Sequence, residues 1–245
     1  LTLGGEHPVW VQSMTNTDTR DAEATLAQIR ALADAGCDIV RCSVYDEACA
    51  RAIRTIVDGS PVPIVADIHF NHRLAIAAAE NGVAFLNGKC VDTDGRMFFT
   101  VTRDGRPLRK RRYMYSESFY VLSMAEYALA TGDKDALAKA EECFELMLTL
   151  FRTRERDPFR ITPKTYSSTR AERASAVPMV LVSSAQALRR CDPARADYYT
   201  SVTEEMVNDI LTYHYKPELH CVLEDVASDG SFIDNPAGRC INPGH

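Results

Sequence analysis

The spacing of hydrophobic and polar positions changes near residue 85. Before it, short apolar runs at 8–13, 38–44 and 62–68 read as strands, and amphipathic stretches at 21–35, 46–57 and 71–81 read as helices. Leu26, Ile29 and Ala33 share one face of the first helix, which stops at Gly36. Asp46 caps the second, with Gly59 beyond its end, and Gly82 closes the third. Strand-helix units with right-handed crossovers demand a parallel sheet, and three such units are too few to close an eight-stranded barrel. Beyond Cys90 the pattern becomes a hairpin followed by helices. Residues 97–102 and 106–108 flank Asp104-Gly105, a strong hairpin signal. Helical stretches follow at 117–131, 134–152, 174–190 and 193–213, separated by Gly132-Asp133 and Cys191-Asp192-Pro193. Such short connections make antiparallel helix pairs, as in an α-hairpin toroid or an α-solenoid. Residues 219–233 read as another hairpin, with Asp229-Gly230 at its turn. The predicted fold class is mixed: a parallel α/β segment of three βα units over 1–84, then a mainly α segment with short β-hairpins over 85–245.

Composition narrows the partners. The chain has 245 residues, 46% hydrophobic and 25% charged, enough for one large domain or two modest ones. A formal net charge of -6 without a long Lys/Arg run argues against nucleic acid or an anionic membrane as the main partner. The densest basic stretch, 103–112, reads as a solvated turn and strand. No apolar run reaches the roughly 18 residues of a membrane span, and LTLGGEHPVW lacks the layout of a secretion signal, so cytoplasm is the expected compartment. The chain opens on Leu1 and ends on a histidine that should begin a helix, and it reads as an excerpt of a longer coding sequence. Its eight cysteines include no CxxC or CxxxC pair. They are expected to be reduced, mostly buried thiols rather than a structural zinc site or an iron–sulfur cluster built by this chain alone.

Parallel α/β sheets hold ligands at the carboxyl ends of their strands. Those ends carry Ser13, Met14, Thr15 and Asn16, then Arg41 and Ser43, then Asp67 and His69. One cation, one carboxylate, one imidazole and several hydroxyl or amide groups suit an anionic, hydroxylated molecule such as a sugar or polyol phosphate. The phrases VQSMTNTDTRD, AGCDIVR and VPIVADIHFNHRLA closely resemble the amino-terminal TIM-barrel part of 4-hydroxy-3-methylbut-2-enyl diphosphate synthase, the iron–sulfur enzyme of the non-mevalonate isoprenoid pathway. The resemblance implies that residues 1–84 form part of a TIM barrel, with Arg41, Asp67 and His69 helping to hold a cyclic diphosphate at its mouth. The plainer reading ties these three into local salt bridges. The resemblance ends at Phe85-Leu86-Asn87-Gly88-Lys89. The complete synthase needs a 4Fe-4S cluster to deliver electrons; its cysteine ligands fall in the part absent here, so no cofactor is expected in this chain.

The second half carries FLNGKCVDTDGRMFFTVTRDGRPL, RRYMYSESFYVLSMAEYALATGD, ASAVPMVLVSSAQALR and DGSFIDNPAGRCINPGH. In order and spacing these resemble the N-acylglucosamine 2-epimerase family, which implies a partial (α/α)6 toroid over 85–245 with a sugar in its central hole. The implied chemistry removes a proton from the carbon beside a carbonyl and returns one on the other face. Imidazole suits that exchange because its pKa lies near neutrality. In the closing motif, Asn242 is placed to cap a helix, Pro243 fits its first turn and Gly244 lets the backbone approach a pocket. His245 is then presented at a helix start, where the dipole keeps it a usable base, and it is the expected acid/base group. The resemblance places a second histidine farther downstream. Where it leads one to expect an arginine, the stretch 113–120 offers Glu117 and Phe119. Glu117 and Glu224 are candidate acceptors for sugar hydroxyls, against a plain reading as solvated charges.

Three further features read as structure. His214 and His220 flank Lys216-Pro217 without a third metal ligand patterned beside them. Tyr198, Tyr199, Met206, Ile210 and Leu211 read as packing. Asp92-Thr93-Asp94-Gly95 looks like the start of a calcium loop but lacks its later glutamate.

The expected function is that of a sugar 2-epimerase or isomerase acting on an (N-acyl)hexose, with a small sugar or sugar-like phosphate as partner. The alternatives are a fragment of the isoprenoid synthase, or a non-catalytic fusion or truncated chimera, either an assembly artefact of two genes or a surviving helical binding module. Three βα units leave a bare sheet edge and half a toroid leaves an open side. Either the halves cover each other, or the chain forms a homo-oligomer or folds poorly.

Overall fold

The computed structural model describes residues 9–68, 71–110, 114–153 and 172–241. The chain divides into two compact units, Leu1–Ala84 and Phe85–His245.

The first unit runs β1 (Gln12–Met14), α1 (Ala22–Asp34), β2 (Ile39–Ser43), α2 (Glu47–Gly59), β3 (Ile64–Asp67) and α3 (His72–Phe85). Its sheet has the order β1-β2-β3 with every pair parallel. Asp21 starts α1 by accepting from the Ala24 amide at 3.0 Å, and Asp46 starts α2 by accepting from the Cys49 amide at 2.8 Å. After α1 the chain turns at Gly36, whose φ of 93° belongs to the left-handed region that favours glycine. Side chains alternate across a strand. Val40, Cys42 and Val44 are therefore buried against Leu26, Ile29, Ile53 and Ile56 of the helices, while Ile39, Arg41 and Ser43 take the other face, half-buried. The register sets Arg41 beside Met14 and Val65, and Ser43 beside Asp67, so all five share that second face. β1 starts later than its apolar run, and Val9 is 92% exposed. The strand forms where β2 pairs with it, from Gln12↔Ile39 to Met14↔Arg41.

The second unit opens with a π-helical turn, Leu86–Cys90. β4 (Phe98–Val101) and β5 (Pro107–Lys110) then form an antiparallel hairpin. Its turn is closed at Asp104-Gly105, where the Gly105 amide donates to Thr102 O at 2.9 Å. Next come α4 (Tyr115–Thr131), α5 (Lys134–Arg152), β6 (Glu172–Ala174), α6 (Ala176–Cys191) and α7 (Ala196–Asp209). Gly132 (φ 78°) ends α4, and Asp133 starts α5 by accepting from the amides of Asp135 and Ala136 at 2.8 and 3.1 Å. Helix α4 packs against both α5 and α6, and α6 against α7. Val121, Met124, Ala125 and Ala128 of α4 are buried at the spacing of one helical stripe. Phe144 of α5 meets Tyr199 of α7 edge-on, with centroids 5.9 Å apart. The Tyr199 hydroxyl donates to Glu141 and that of Tyr198 to Glu145, both at 2.8 Å, and Arg195 bonds both carboxylates at 3.0 Å. Tyr199 and Met206 are buried in the packing, whereas Leu211 is exposed.

The last third departs from its local pattern. The helix expected from residue 174 starts at Ala176, because β6 pairs antiparallel with β9 (Asp225–Ala227). The hairpin expected over 219–233 divides. Its first part, β8 (Cys221–Val222), pairs back with β7 (Tyr215–Lys216), and its second part, β9, goes to β6. The Asp229-Gly230 turn, closed by the Gly230 amide on Ala227 O at 2.8 Å, follows β9 instead of joining two strands of one hairpin. Local alternation shows that a segment is a strand but not which distant strand it meets. Among the described residues, no helix is long and apolar enough to cross a membrane.

Phe144→Ala, which opens a cavity between α5 and α7, should cost about 3–5 kcal/mol in urea unfolding. Asp133→Ala, which removes only a cap, should cost about 1 kcal/mol. Equal losses would show that the Phe144–Tyr199 contact is not part of the cooperative core.

Candidate functional site

In the second unit a cavity of about 290 Å³ is lined by Phe99, Tyr115, Ser116, Ala174, Ala176, Glu224 and Asp225. These come from β4, the first turn of α4, both sides of the β6–α6 junction, and the start of β9. The β6–β9 ladder gathers them: Ala174 lies opposite Asp225, and the Ser175 amide donates to Glu224 O at 2.9 Å. Two aromatic rings, a hydroxyl and two carboxylates suit a sugar, whose C–H faces stack on rings and whose hydroxyls donate to carboxylates. Among the described residues, Glu224 forms no ion pair.

The backbone on either side of Glu224 is heavily bonded. The Leu223 amide donates to His214 O at 3.0 Å, and His214 Nδ1 donates to Leu223 O at 3.0 Å. The Glu224 amide donates to Cys240 O at 2.9 Å, and Leu223 forms an antiparallel bridge with Ile241. The peptide that leads into Asn242-Pro243-Gly244-His245 is therefore tied to the residue carrying the cavity carboxylate. His245 itself, and His69 of the first unit, lie outside the described residues.

His214 is fully buried, and its Nε2 has no hydrogen-bond partner. Burial pushes its pKa below the usual value; the nearby Arg173 and Lys216 push the same way, while the Leu223 carbonyl and Asp209 oppose them. His220 is exposed and ends a short 3-10 turn, Pro217–Leu219, with φ of 50°. Among the described residues, no three His, Cys, Asp or Glu side chains gather as metal ligands.

Glu117 follows Ser116, but one helical step turns it away from the cavity. It is 1% exposed and accepts from Arg96 Nε at 2.6 Å and from the Met97 amide at 2.9 Å. Its partner Arg96, also 1% exposed, lies just before β4. Glu117 is thus neither at the cavity nor a solvated helix charge. The structure likewise fills the loop of calcium-like appearance from within, with Lys110 Nζ 2.7 Å from Asp92 and 2.5 Å from Asp94. The lining groups that sequence reasoning did not single out are Phe99, Tyr115, Ser116 and Asp225. Only the tyrosine-rich start of α4 offered a signal.

At the strand ends of the first unit, Arg41 Nη2 lies 3.2 Å from Asp67 Oδ2. The Thr15 amide donates to Arg41 O at 3.0 Å and the Val44 amide to Asp67 O at 2.7 Å, fixing the three strand ends together. Arg41 Nε is buried without a hydrogen-bond partner. The pair satisfies the salt-bridge reading while leaving donor capacity on the guanidinium.

Residues 67–245 match the model of the N-acylglucosamine 2-epimerase (GlcNAc 2-epimerase) family. The chain belongs to this family. Solved structures similar to it are cellobiose 2-epimerases: one from Bacillus thermoamylovorans B4167 (TM-score 0.56, 14% identity, 66% of this chain and 44% of that one) and one from Spirochaeta thermophila DSM 6192 (0.52, 21%, 66% and 43%). These likenesses show the fold, an incomplete (α/α)6 toroid following the parallel sheet. Residues 1–88 match the GcpE TIM-barrel domain. Over 84 residues the epimerase-family chain is 61% identical to 4-hydroxy-3-methylbut-2-en-1-yl diphosphate synthase (flavodoxin) of Desulfotalea psychrophila, and over 81 residues 62% identical to that of Maridesulfovibrio salexigens. The matched parts are 34% and 33% of this chain, but the chain spans only 23% of either relative. The two family matches overlap at 67–88, across α3 and the π-helical turn.

Two outcomes follow from the buried charges. Glu117→Ala takes the carboxylate away from the buried Arg96 guanidinium and should destabilise the second unit by about 3–5 kcal/mol in urea; a loss below about 1 kcal/mol would mean that other contacts or water compensate Arg96. For His214 the folded pKa lies below the ordinary 6.5. As pH falls, the unfolded chain takes the proton first, so stability is complete above about 6.5 and declines below it. The urea midpoint should drop between pH 7 and 5, and His214→Asn should flatten that profile.

Proposed function

We propose that the second unit binds an (N-acyl)hexose in ring-opened form and epimerises it beside the carbonyl. Glu224 accepts from sugar hydroxyls in the cavity, and Phe99 and Tyr115 offer their ring faces. His245 takes the proton from the carbon next to the carbonyl, and the electron pair left behind delocalises onto the carbonyl oxygen. A proton then returns to the other face, so atoms and charge balance without a redox partner and no cofactor is required. The observation that carries this reading is the bond from Glu224 N to Cys240 O, which ties the cavity carboxylate to the peptide entering the NPGH motif. Family membership and the neighbouring cellobiose 2-epimerases support a sugar as substrate, with a sugar-like phosphate as the variant to compare. Cytoplasm is the proposed compartment, neither nucleic acid nor membrane is a proposed partner, and a homo-oligomer is the proposed assembly.

A second reading attaches to the first unit, favoured by its 61% identity to the diphosphate synthase. There Arg41 and Asp67, with His69, would grip a diphosphate-bearing molecule. The iron–sulfur cluster of the complete synthase does not fit these residues. Burial raises the Cys42 thiol, Cys37 Sγ donates to Ile39 O at 3.0 Å, and no described residues gather as a ligand set. No reductive step is assigned to them.

Proton exchange at C2 of N-acetylglucosamine or cellobiose in deuterated water, followed by NMR, tests the first reading. His245→Ala should slow exchange by about 10²–10⁴-fold with sugar binding kept. Glu224→Gln should weaken binding by about tenfold. Loss of binding in His245→Ala with unchanged exchange per bound sugar would reassign that residue. Absence of exchange with either sugar would favour the non-catalytic helical module.

A further inference from the structure

We propose that His214 is a positioning residue that anchors the Glu224 rim of the cavity. The inference rests on the sugar-binding role proposed for Glu224.

A carbonyl only accepts, so the contact with Leu223 O requires the proton of the imidazole to sit on Nδ1. Together with the Leu223 amide on His214 O, it makes a reciprocal pair in which one residue holds both the donor and the acceptor of Leu223. Leu223 is itself buried, and its bridge to Ile241 continues the hold toward residue 242. The next residue, Glu224, faces the cavity, with its amide on Cys240 O. The cavity carboxylate and the peptide entering the NPGH motif therefore meet at one buried imidazole.

The elements beside His214 are tied to one another by polar contacts. Arg173 of β6 donates to Asp209 of α7 at 2.5 Å and stacks on the Tyr213 ring at 3.7 Å. Lys216 Nζ of β7 donates to Tyr213 O at 2.9 Å and to Gly230 O at 2.6 Å. None of these groups meets His214 Nε2, which stays an orphan acceptor. An apolar residue of similar size would fill the same space without that penalty, so what distinguishes the imidazole here is the Nδ1 bond.

The test uses the full chain with His214→Leu, which keeps bulk and removes the donor, and His214→Asn, whose amide nitrogen lies near the place of Nδ1. Hydrogen exchange is read at the amides of Leu223, Glu224 and Ile241 and across α4 and α5, and N-acetylglucosamine binding is read by calorimetry. In His214→Leu the three rim amides should exchange at least about tenfold faster and the sugar should bind about tenfold more weakly, with α4 and α5 unchanged. His214→Asn should recover both to within about threefold. An unchanged rim in His214→Leu overturns the proposal. So does failure of Asn to rescue, which would assign the effect to packing, and so does equal loss of protection in α4 and α5, which would make the role globally structural. If the unmodified chain does not bind the sugar but the rim responds and is rescued as stated, the anchoring role stands and the sugar reading falls.

Discussion

The pairing of β6 with β9 is the constraint on which the candidate site depends. Each strand is three residues long, and neither would persist alone in water. Once paired, they set the first turn of α6 against the Glu224 peptide, and every lining residue other than those of β4 and α4 follows from that meeting. Polar groups brace the ladder: Arg173 bonds Asp209 and stacks on Tyr213, while Lys216 bonds two backbone carbonyls. Such a junction holds its shape only while each partner remains in place.

The carboxylates sort themselves by the cations available to them. Glu117 is matched to Arg96, Asp92 and Asp94 to Lys110, Glu141 and Glu145 to Arg195, and Asp209 to Arg173. A carboxylate already held by a neighbouring cation has little to offer a ligand. Among the described residues Glu224 has no such cation at the cavity wall, which is the contrast on which its proposed role rests.

The first unit is an arc of a barrel whose interior face survives in the register. Arg41, Ser43 and Asp67 share the face opposite the buried Val40 and Cys42, as the strand alternation of a parallel barrel demands. Among the described residues that sheet has three strands, and on that face Arg41 pairs with Asp67. The overlap of the two family matches at 67–88 places the change of identity within α3 and the turn after it. A helix is a natural place for such a change because its hydrogen bonds are internal to it and need no partner strand.

The order and kind of most elements are written in the chain itself. Strand alternation, the caps at Asp21, Asp46 and Asp133, and the left-handed turns at Gly36 and Gly132 are local properties, set by residues a few positions apart. The chain also carries the phrases that mark both families. Folding, by contrast, selects the pairing of β9 with β6, of Arg96 with Glu117, of Lys110 with Asp92 and Asp94, and of His214 with Leu223. Each of these is a choice among partners distant in the chain. Charge complementarity and hydrogen-bond satisfaction decide such choices only after folding has brought the candidates within reach and taken water away from them.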